Sequence, residues 1–525
     1  MKINYSRHIQ ALADRFGDAE AIVNIERGRR YTFRQYHDVT NQVANMMRDG
    51  LGLRRGDFFV CILKNDSLSL LHFPTVFKGE ATAAYCNYRD SLPEQLEQLD
   101  SLAPKVAFVE NELLASHYPA LHERGITVVC MDPIEEPRDG LLYFWELVNA
   151  ASTQNPDVEL DNHEHLALIR FTGGTTGKGK PAMYSLDNWL AALDVFHYLP
   201  DCRWGRDTRT LLMAPISHGS ALLVLPTLYG GGCTVTMNDP DLVKYCELIE
   251  REKITMSQGV PTLMYRMLDL KNSNNYDLSS LETIIYGAAP ISPGKLAQLQ
   301  AGFGSIFVQI YGSTEHCTAA LVLDKSDHDL EKPRLEARIG AAGRTIPGIE
   351  VRLVDTNGNP VAAGEIGEIW LRSRSTIRGY YNSPEATEQE FENGFWKSGD
   401  LARMDEEGYI TVVDRRKDMI ISGGFNVYAV EVEATISSLE DVQMAAVIGI
   451  PHEEWGESIH AEVVLREGST LTKEALIQHV KDKLGSYKAP KSIAFVTQLP
   501  LSPVGKLLRR QVREKYWTGS DRRIG

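Results

Sequence analysis

The chain has 525 residues, which is more than one domain of ~150 residues normally holds. With 43% hydrophobic and 24% charged residues, it has the composition of a folded globular protein and is too apolar for disorder. Its net charge of −15 disfavours binding to a nucleic-acid backbone, so we expect no nucleic-acid partner.

Cysteine usage and the apolar segments bear on where the protein works. The seven scattered cysteines include no Cys-x-x-Cys pair, which favours reduced thiols over a disulfide framework or a thiolate zinc site. The N-terminal residues lack the apolar run of a signal peptide. The most apolar window, 221–229, contains Pro226 and is too short to cross a bilayer. We therefore expect a cytoplasmic protein with no membrane span.

The first two thirds of the chain alternate between strand and helix patterns. Thr32 and Gln35 form a capping-box pattern, and apolar residues follow it at helical spacing. Short β-rich runs come next, separated by helix-length segments, at 58–63, 106–109, 126–130, 166–171, 210–213, 283–286 and 306–310. This alternation predicts layered α/β structure with mostly parallel strands.

The pattern changes at Ile349. Polar and apolar residues then alternate, a turn is expected at 357–360, and a short strand at 368–371, which together predict a small antiparallel sheet or barrel. About a hundred residues follow 414–418 with mixed strand and helix signals. One of their helices has its apolar face at Leu476, Val480 and Leu484, and the length suits a separate small α+β domain.

The densest chemical signal is the segment 171–181, Phe-Thr-Gly-Gly-Thr-Thr-Gly-Lys-Gly-Lys-Pro, directly after an expected strand. Its glycines, threonines and lysines suit a loop that wraps phosphate oxygens. A Gly-rich surface turn is the plainer alternative. A P-loop is the sharper one, because 174–180 reads G-x-x-x-x-G-K, but Pro181 replaces the Ser/Thr that should hold Mg²⁺ and no helix pattern follows at once.

Three further segments are ambiguous when taken singly. Residues 309–315, Gln-Ile-Tyr-Gly-Ser-Thr-Glu, follow an expected strand and combine an aromatic ring, a glycine, a hydroxyl and a carboxylate. Residues 396–400, with the pair 414–415, offer a carboxylate and a guanidinium for ribose and phosphate, or a surface ion pair. Residues 500–506 place a lysine on a loop stiffened by glycine and proline, where a solvated charge is the ordinary reading.

In this order and spacing, the four segments resemble the adenylate-forming (AMP-binding) superfamily, in its acyl-CoA synthetase or acid–CoA ligase branch, over residues 10–512. The resemblance implies an α/β fold with a large N-terminal domain of two layered α/β subdomains plus a small β-barrel. A small mobile α+β domain follows it. We place the N-terminal domain at 1–416, its barrel-like part at about 321–414 and the C-terminal lid at 417–525.

The resemblance also implies roles for single residues. Thr314 contacts the α-phosphate, Glu315 binds Mg²⁺, and Lys506 bridges the acyl carboxylate and the α-phosphate during adenylation. The other residues that it assigns to ATP or AMP are Thr172, Gly173, Gly174, Thr175, Thr176, Gly177, Lys180, Gly287, Ala288, Ala289, Pro290, Tyr311, Gly312, Asp400 and Arg415. Among these, Tyr311 stacks on the base, and Asp400 with Arg415 holds the ribose.

Three further roles follow from the resemblance, and they concern the acid, the hinge and CoA. His218 lies in the loop that gates the entrance for the acid, Lys417 matches the hinge, and Gly423 with Gly424 lines the pantetheine tunnel. A plain turn remains an alternative for the two glycines. The implied cofactors and substrates are ATP, Mg²⁺, coenzyme A and a small carboxylic acid.

The phosphate loop departs from the family pattern at Gly173, Gly179 and Pro181, which removes one hydroxyl donor and loosens the loop before Lys180. Amino-acid-activating relatives carry an aspartate near the gating loop, and none lies between residues 213 and 232. The residues at the family's pocket segments are apolar or small, with no cation for a second carboxylate, namely Leu222, Leu223, Tyr286, Gly287, Gly312, Cys317 and Ala319. We therefore expect a monocarboxylic acid with an apolar aliphatic or aryl tail.

The leading hypothesis is an ATP-dependent acid–CoA ligase. One alternative is an acyl-AMP ligase that loads a carrier protein, and another is a luciferase-like oxidation of the adenylate. A nucleotide-binding protein with a degraded site is suggested by the altered phosphate loop, and the intact Glu315, Asp400, Arg415 and Lys506 argue against it. The sequence does not fix the oligomeric state, for which a homodimer is one possible assembly.

Overall fold

The computed structural model describes residues 2–134, 137–172, 179–199, 201–274, 276–289, 291, 293–328, 340–501 and 507–517. Two large and mainly parallel sheets form the longer first part of the chain. Two five-stranded sheets follow, and one short pair joins Lys2–Ile3 to Leu160–Asp161. The α/β fold class expected from the alternating pattern is confirmed.

The first large sheet contains seven strands, and all neighbours are parallel except the final pair at 166–171 and 181–185. Its central strands are buried along their whole length, as parallel strands covered on both faces must be. In spatial order the strands are Pro181–Ser185, Leu166–Phe171, Thr82–Tyr85, Phe58–Ile62, Val106–Val109, Thr127–Cys130 and Leu141–Tyr143.

The second large sheet contains nine strands with a parallel centre and antiparallel edges. In spatial order they are Arg344–Thr345, Ala319–Leu323, Phe307–Gly312, Thr283–Gly287, Met256–Gly259, Arg209–Leu212, Cys233–Thr236, Glu20–Asn24 and Arg29–Thr32. One buried cluster joins the two large sheets, with Phe59 and Leu168 from the first and Ile22, Ile285 and Val308 from the second.

The two smaller sheets are mainly antiparallel. The first has strands Ile349–Val354, Ile366–Ser373, Phe391–Glu392, Phe395–Met404 and Ile410–Arg415, which agrees with the change of pattern at Ile349. The second has strands Ile420–Ser422, Phe425–Val427, Val442–His452, Gly456–Leu465 and Ser492–Phe495, with the last strand parallel to its neighbour. It has its own core, into which Leu476 and Val480 project as expected.

Several helices begin at a residue whose side chain caps the first turn. Thr32 accepts a bond from the Gln35 backbone while the Gln35 side chain accepts one from Thr32, so the expected capping box is confirmed. The α-helices in the described part of the chain are Ser6–Phe16, Phe33–Asn45, Asn65–Phe73, Leu92–Asp100, Leu114–Glu123, Phe144–Ala150, Leu186–His197, Ala221–Tyr229, Leu242–Glu252, Pro261–Asn274, Pro293–Phe303, Pro384–Glu390, Ala429–Ser437, Lys473–Leu484 and Arg509–Glu514.

None of the helices in the described residues combines the length and the apolar character that crossing a bilayer requires. All seven cysteines are buried free thiols, as the sequence predicts.

Candidate active site

Two of the four segments singled out from the sequence, 171–181 and 309–315, lie at the carboxyl ends of strands in the two large sheets. Strand Thr283–Gly287 pairs in parallel with Phe307–Gly312, so Gly287 and Tyr311 come to the same edge of the nine-stranded sheet. Strand Leu166–Phe171 ends immediately before Thr172. Ligands of open α/β sheets bind beyond this edge, so the strand pattern alone directs attention to it.

The phosphate-loop segment is closed by a β-hairpin. The Thr172 backbone N–H donates to the Lys180 carbonyl at 3.0 Å, and the Lys180 N–H donates to Thr172 Oγ1 at 3.3 Å. Strand Pro181–Ser185 then runs antiparallel to Leu166–Phe171. The P-loop alternative is wrong, because a strand rather than a helix follows the loop. Gly173, Gly174, Thr175, Thr176 and Gly177 lie outside the described residues.

Two glycines at this edge are required by close backbone contacts. A Cβ at Gly287 would lie 2.3 Å from the Ile310 carbonyl oxygen, and one at Gly312 would lie 2.0 Å from that of Thr318. Larger residues at either position would displace the strand ends. The next residue after Gly287, Ala288, has φ of 65°, so the chain turns sharply there, with Ala289 half-buried beyond it. Pro290 lies outside the described residues.

Tyr311, Asp400 and Arg415 form one connected group. The Tyr311 hydroxyl donates to Asp400 Oδ2 at 2.6 Å, and Arg415 Nε lies 3.3 Å from Asp400 Oδ1. Asp400 and Arg415 are directly paired across two antiparallel strands of the small sheet. Lys417 follows two residues later, where burial and then the Arg415 charge lower its pKa to about 8. The structure thus joins residues that are 104 positions apart in the sequence.

Glu315 lies beside a second polar group, at the mouth of the phosphate-loop hairpin. Its carboxyl is 9% exposed, and Oε1 accepts the Tyr380 hydroxyl at 3.0 Å. The same hydroxyl lies within hydrogen-bond distance of Glu390, which forms an ion pair with Lys180. The Lys180 ammonium also lies 4.4 Å from the centre of the Tyr380 ring. Burial raises the pKa of Glu315.

These residues fit a magnesium nucleotide. Mg²⁺ usually takes one or two carboxylates, together with phosphate oxygens and water, so a single buried carboxylate such as Glu315 is a sufficient protein ligand. No cluster of three or more potential metal ligands occurs among the described residues. Asp400 keeps free lone pairs after accepting bonds from Tyr311 and Arg415, and these suit the hydroxyls of a ribose.

Thr314 and His218 are held by their neighbours. The Tyr184 hydroxyl donates to the Thr314 carbonyl at 2.6 Å, which fixes the backbone next to Glu315. His218 Nδ1 lies 3.1 Å from Ser217 Oγ. Burial, with smaller effects from Arg170 and Arg89, lowers the pKa of His218 to about 4, so its ring is neutral at pH 7.

The expected CoA and lysine positions lie in the C-terminal part of the chain. Gly423 and Gly424 form the tight turn of a β-hairpin between Ser422 and Phe425, with φ of 57° and 82° that L-residues rarely adopt. Both glycines are exposed, and the Gly423 N–H donates to the Trp455 carbonyl at 3.0 Å. Lys506 lies outside the described residues.

Sequence reasoning missed Tyr380, Glu390 and Tyr184, which position Glu315, Lys180 and Thr314. Each reaches its partner across a long stretch of sequence, and none belongs to a glycine-rich segment. The only available signal was the pair of tyrosines at 380–381, which is a weak one.

Comparison with protein families settles which family this is. The AMP-binding enzyme family matches residues 9–381, and the AMP-binding enzyme C-terminal domain matches residues 431–506. The chain belongs to the AMP-binding enzyme family. The superfamily expected from the four segments is therefore confirmed, while the roles of the individual site residues remain predictions.

Several curated proteins are similar to this AMP-binding chain. Medium/long-chain-fatty-acid–CoA ligase FadD8 of Mycobacterium tuberculosis is 38% identical over 364 residues, which cover 68% of this chain and 62% of FadD8. Feruloyl-CoA synthase of an Amycolatopsis species is 37% identical over 371 residues, or 70% of this chain and 73% of that protein. Long-chain-fatty-acid–CoA ligase of Escherichia coli O157:H7 is 31% identical, with 98% and 96% covered. The match to FadD8 thus spans less than two thirds of that relative.

Solved structures match over nearly the whole chain. The anthranilate CoA ligase AuaEII in complex with anthranoyl-AMP has a TM-score of 0.87 at 25% identity, covering 98% of this chain and 97% of that one. ATP-bound MatB from Rhodopseudomonas palustris has a TM-score of 0.86 at 27% identity, covering 98% and 99%. The expected arrangement of a large N-terminal and a small C-terminal part is confirmed by these neighbours.

Proposed function

We propose that this AMP-binding enzyme is an ATP-dependent acid–CoA ligase. In the first half-reaction an oxygen of the acid's carboxylate attacks the α-phosphorus of ATP, the bond to the bridging oxygen breaks, and pyrophosphate leaves. In the second, the sulfur of CoA attacks the acyl carbon, the bond to the AMP oxygen breaks, and AMP leaves. The names of the relatives, which are CoA ligases and synthases of fatty and aryl acids, support this reaction and its use of ATP, Mg²⁺ and CoA.

The observation that carries the proposal is the connected group of Tyr311, Asp400 and Arg415. Tyr311 offers an aromatic face for the base, while Asp400 offers free acceptor sites for the ribose hydroxyls. Gly287 and Gly312 let the strand ends beside this group pack closely, because a Cβ at either position would clash with a backbone carbonyl. The group lies at the strand edge where α/β sheets bind nucleotides.

The first half-reaction brings a carboxylate against a phosphate, so its main electrostatic obstacle is repulsion between two anions. Bound Mg²⁺ supplies positive charge at the phosphates, and Glu315 is the residue that would hold it. Thr172 and Lys180 face the phosphates from the loop, and Lys180 can leave Glu390 for a phosphate of higher charge. Thr314 and Lys506 complete the proposed set of donors around the reacting oxygens.

The second half-reaction requires access for a thiol. We infer a division into an N-terminal domain at 1–416, with its barrel-like part at 321–414, and a mobile C-terminal domain at 417–525 that turns about Lys417. Gly423 and Gly424 would line the pantetheine path, and their exposed turn without side chains supports that role. A single rotation of the C-terminal domain would then take the enzyme from the first half-reaction to the second.

The substrate class is a small carboxylic acid with an aliphatic or aryl body, and His218 lies at the proposed entrance. Its neutral ring can accept or donate a hydrogen bond without repelling or trapping the incoming carboxylate. The buried free thiols support a cytoplasmic location. The homodimer considered from the sequence stays a prediction.

The proposal is tested by pyrophosphate release from ATP and Mg²⁺ across a panel of aliphatic and aryl acids, with and without CoA. We expect acid-dependent release that turns over only with CoA. Release that stalls near one equivalent in both conditions would contradict the CoA acceptor and favour a carrier protein. If no acid in the panel causes pyrophosphate release, that result would contradict the ligase function and favour the degraded-site alternative.

A further inference from the structure

Arg170 is a buried cation that the proposed reaction has not used. It lies in the middle of strand Leu166–Phe171, two residues before Thr172, and is 5% exposed. Its Nε and Nη2 atoms have no hydrogen-bond partner, and no ion pair to it occurs among the described residues. An unpaired charge inside a protein is costly, so a function that requires it is the natural explanation.

The two Arg170 nitrogens without hydrogen-bond partners indicate the geometry of the acceptor that would pair with them. Nε and Nη2 lie on one edge of the planar guanidinium, where their N–H bonds point in parallel. That edge matches the two oxygens of a carboxylate in a bidentate pair. A second donor without a partner lies beside it, because the Trp189 ring is 5.1 Å from Arg170 Cζ and its indole N–H, on a side chain 1% exposed, has no acceptor.

The side chains that contact Arg170 most closely are neutral, and the Tyr184 hydroxyl also forms a hydrogen bond with its guanidinium. Tyr184 and Trp189 present their rings to the guanidinium at 5.5 and 5.1 Å, which offsets part of its burial by cation–π attraction. His72 packs edge-on against Trp189, and burial lowers the pKa of His72 to about 3, so it carries no charge at pH 7. The nearby acid Glu315 bonds to Tyr380 and forms no ion pair with Arg170.

The position of Arg170 points to the tail of the acid rather than to its reacting end. The reacting carboxylate must meet the phosphates beside Thr172, whereas two residues of extended strand, about 7 Å, separate Arg170 from that point. The Arg170 charge also acts on His218 and on Cys317, one of the small residues expected from the sequence to line the acyl pocket. The pocket segments named from the sequence contain no cation, and Arg170 lies on a strand outside them.

We propose that Arg170 determines substrate specificity by binding, through its Nε–Nη2 edge, a second carboxylate on the tail of the acid substrate. The inference rests on the proposed ligase function. It replaces the monocarboxylic acid with an apolar tail, which the sequence predicts, by an acid whose tail ends in a second carboxylate. Trp189 supports the same group with its indole N–H.

The test compares acids that differ only at the end of the tail. Succinate through suberate are paired with butanoate through octanoate, and terephthalate with 4-methylbenzoate. We expect the wild type to have a higher kcat/KM for the dicarboxylic member of at least one pair. Arg170→Met should lower that preference about 10- to 100-fold, the usual effect of losing hydrogen bonds to a charged group. Trp189→Phe should lower it less.

Arg374→Met is the matched control. Arg374 is mostly exposed and pairs with Asp187 on the same helix as Trp189, so the variant removes a nearby positive charge without touching the buried edge. Its preference between paired acids should equal that of the wild type. Arg170→Met should also keep the wild-type Tm or raise it, because it removes an uncompensated buried charge. If Arg170→Met fails to fold, Arg170→Lys replaces it in the test. Lysine keeps the positive charge but lacks the two parallel N–H donors of the guanidinium, so the preference for the dicarboxylic acid should fall less.

Two results would overturn the inference. One is a wild type that prefers the methyl-ended member of every pair. The other is an equal loss of kcat/KM for both members in Arg170→Met, which would assign Arg170 to the reacting carboxylate. If no acid supports pyrophosphate release, that result contradicts the ligase function and leaves the role of Arg170 to a binding measurement. Calorimetry with the same acids then compares wild type and Arg170→Met by the ratio of their affinities for the dicarboxylic and the methyl-ended member of each pair.

Discussion

Replacing Tyr311 with phenylalanine isolates one bond of the candidate nucleotide site. Phenylalanine keeps the aromatic ring that is proposed to stack on the base and removes only the hydroxyl that donates to Asp400 at 2.6 Å. Asp400 would then be oriented by Arg415 alone, across a longer contact of 3.3 Å. The substitution therefore tests whether the position of Asp400 matters for nucleotide binding.

The expected effect is a rise of about tenfold in the KM for ATP. A hydrogen bond to a charged group contributes about 1.5–3 kcal/mol, and the lower value corresponds to roughly a tenfold change in affinity. We expect kcat to change less than about threefold, because Asp400 is proposed to bind the ribose and not the reacting oxygens. Pyrophosphate release at saturating acid and varied ATP measures both constants.

Tyr409→Phe is the matched control for this experiment. The Tyr409 hydroxyl donates to Asp327 at 2.7 Å, in a buried tyrosine–aspartate bond of the same kind outside the candidate site. Its loss should lower stability by about 1.5–3 kcal/mol and leave the KM for ATP unchanged. An unchanged KM in Tyr311→Phe, or an equal rise in both variants, would refute the reasoning.

Three further predictions concern the charged groups. Lys506→Ala should slow adenylate formation ~10²–10³-fold in single-turnover assays and affect thioester formation from pre-made acyl-adenylate much less; near-normal adenylation would contradict its role. Tyr380→Phe removes the hydrogen bond that lowers the pKa of Glu315, so the Mg²⁺ requirement of the variant should increase more than that of the wild type as the pH falls, and an equal pH dependence in both would count against the assignment of Glu315. Lys78 is 1% exposed, and burial lowers its pKa to about 7 from 10.5, so the unfolded chain binds the extra proton between these values and stability rises with pH. Relative to Lys78→Met, the wild type should gain about 1.5 kcal/mol in urea unfolding from pH 7 to 8.5, and parallel pH profiles would show that Lys78 titrates normally.

The fold was largely predictable because its signals are local. A buried parallel strand between two helices needs only a short apolar run, and the run 166–171 matches the observed strand Leu166–Phe171 at both ends. The capping box at Thr32 is equally local, since it depends on two residues three positions apart. Strand order in the nine-stranded sheet was beyond such reasoning, because it depends on which distant segments pack together.

The candidate site was predictable where one short segment carries the chemistry. Tyr311, Asp400 and Arg415 were named from their segments, and the structure joins them. Tyr380 was not predicted, because its role depends on a hydrogen bond to Glu315, which lies 65 positions away in the sequence. Arg170 was hidden for another reason: within an apolar strand pattern it adds one charge, and only its lack of partners in the folded chain distinguishes it.

The C-terminal helix shows how a charge pattern alone can mislead. The basic run 506–515 predicts a solvated helix face, or a weak contact with CoA phosphates, for Arg509 and Arg513. Instead, Arg509 Nε lies 2.7 Å from Glu433 Oε1, and Arg513 Nη2 lies 2.7 Å from Asp418 Oδ1. Both arginines are mostly buried, so these pairs fix the helix against the segment that follows Lys417.

This arrangement constrains the proposed rotation. Asp418 and Glu433 bracket the turn at 423–424, and their arginine partners begin three residues after Lys506 in the sequence, so the turn and the helix must move together. Asp414 lies on the other side of Lys417, and its carboxylate accepts the Ala429 N–H. A rotation about Lys417 must break that bond, whereas a rotation that begins before Asp414 preserves it. Besides the Asp269–Arg466 ion pair, the state described here is therefore held by the Asp414–Ala429 bond across the hinge, and the charge of Asp414, whose pKa burial raises to about 6, helps to set the strength of that bond.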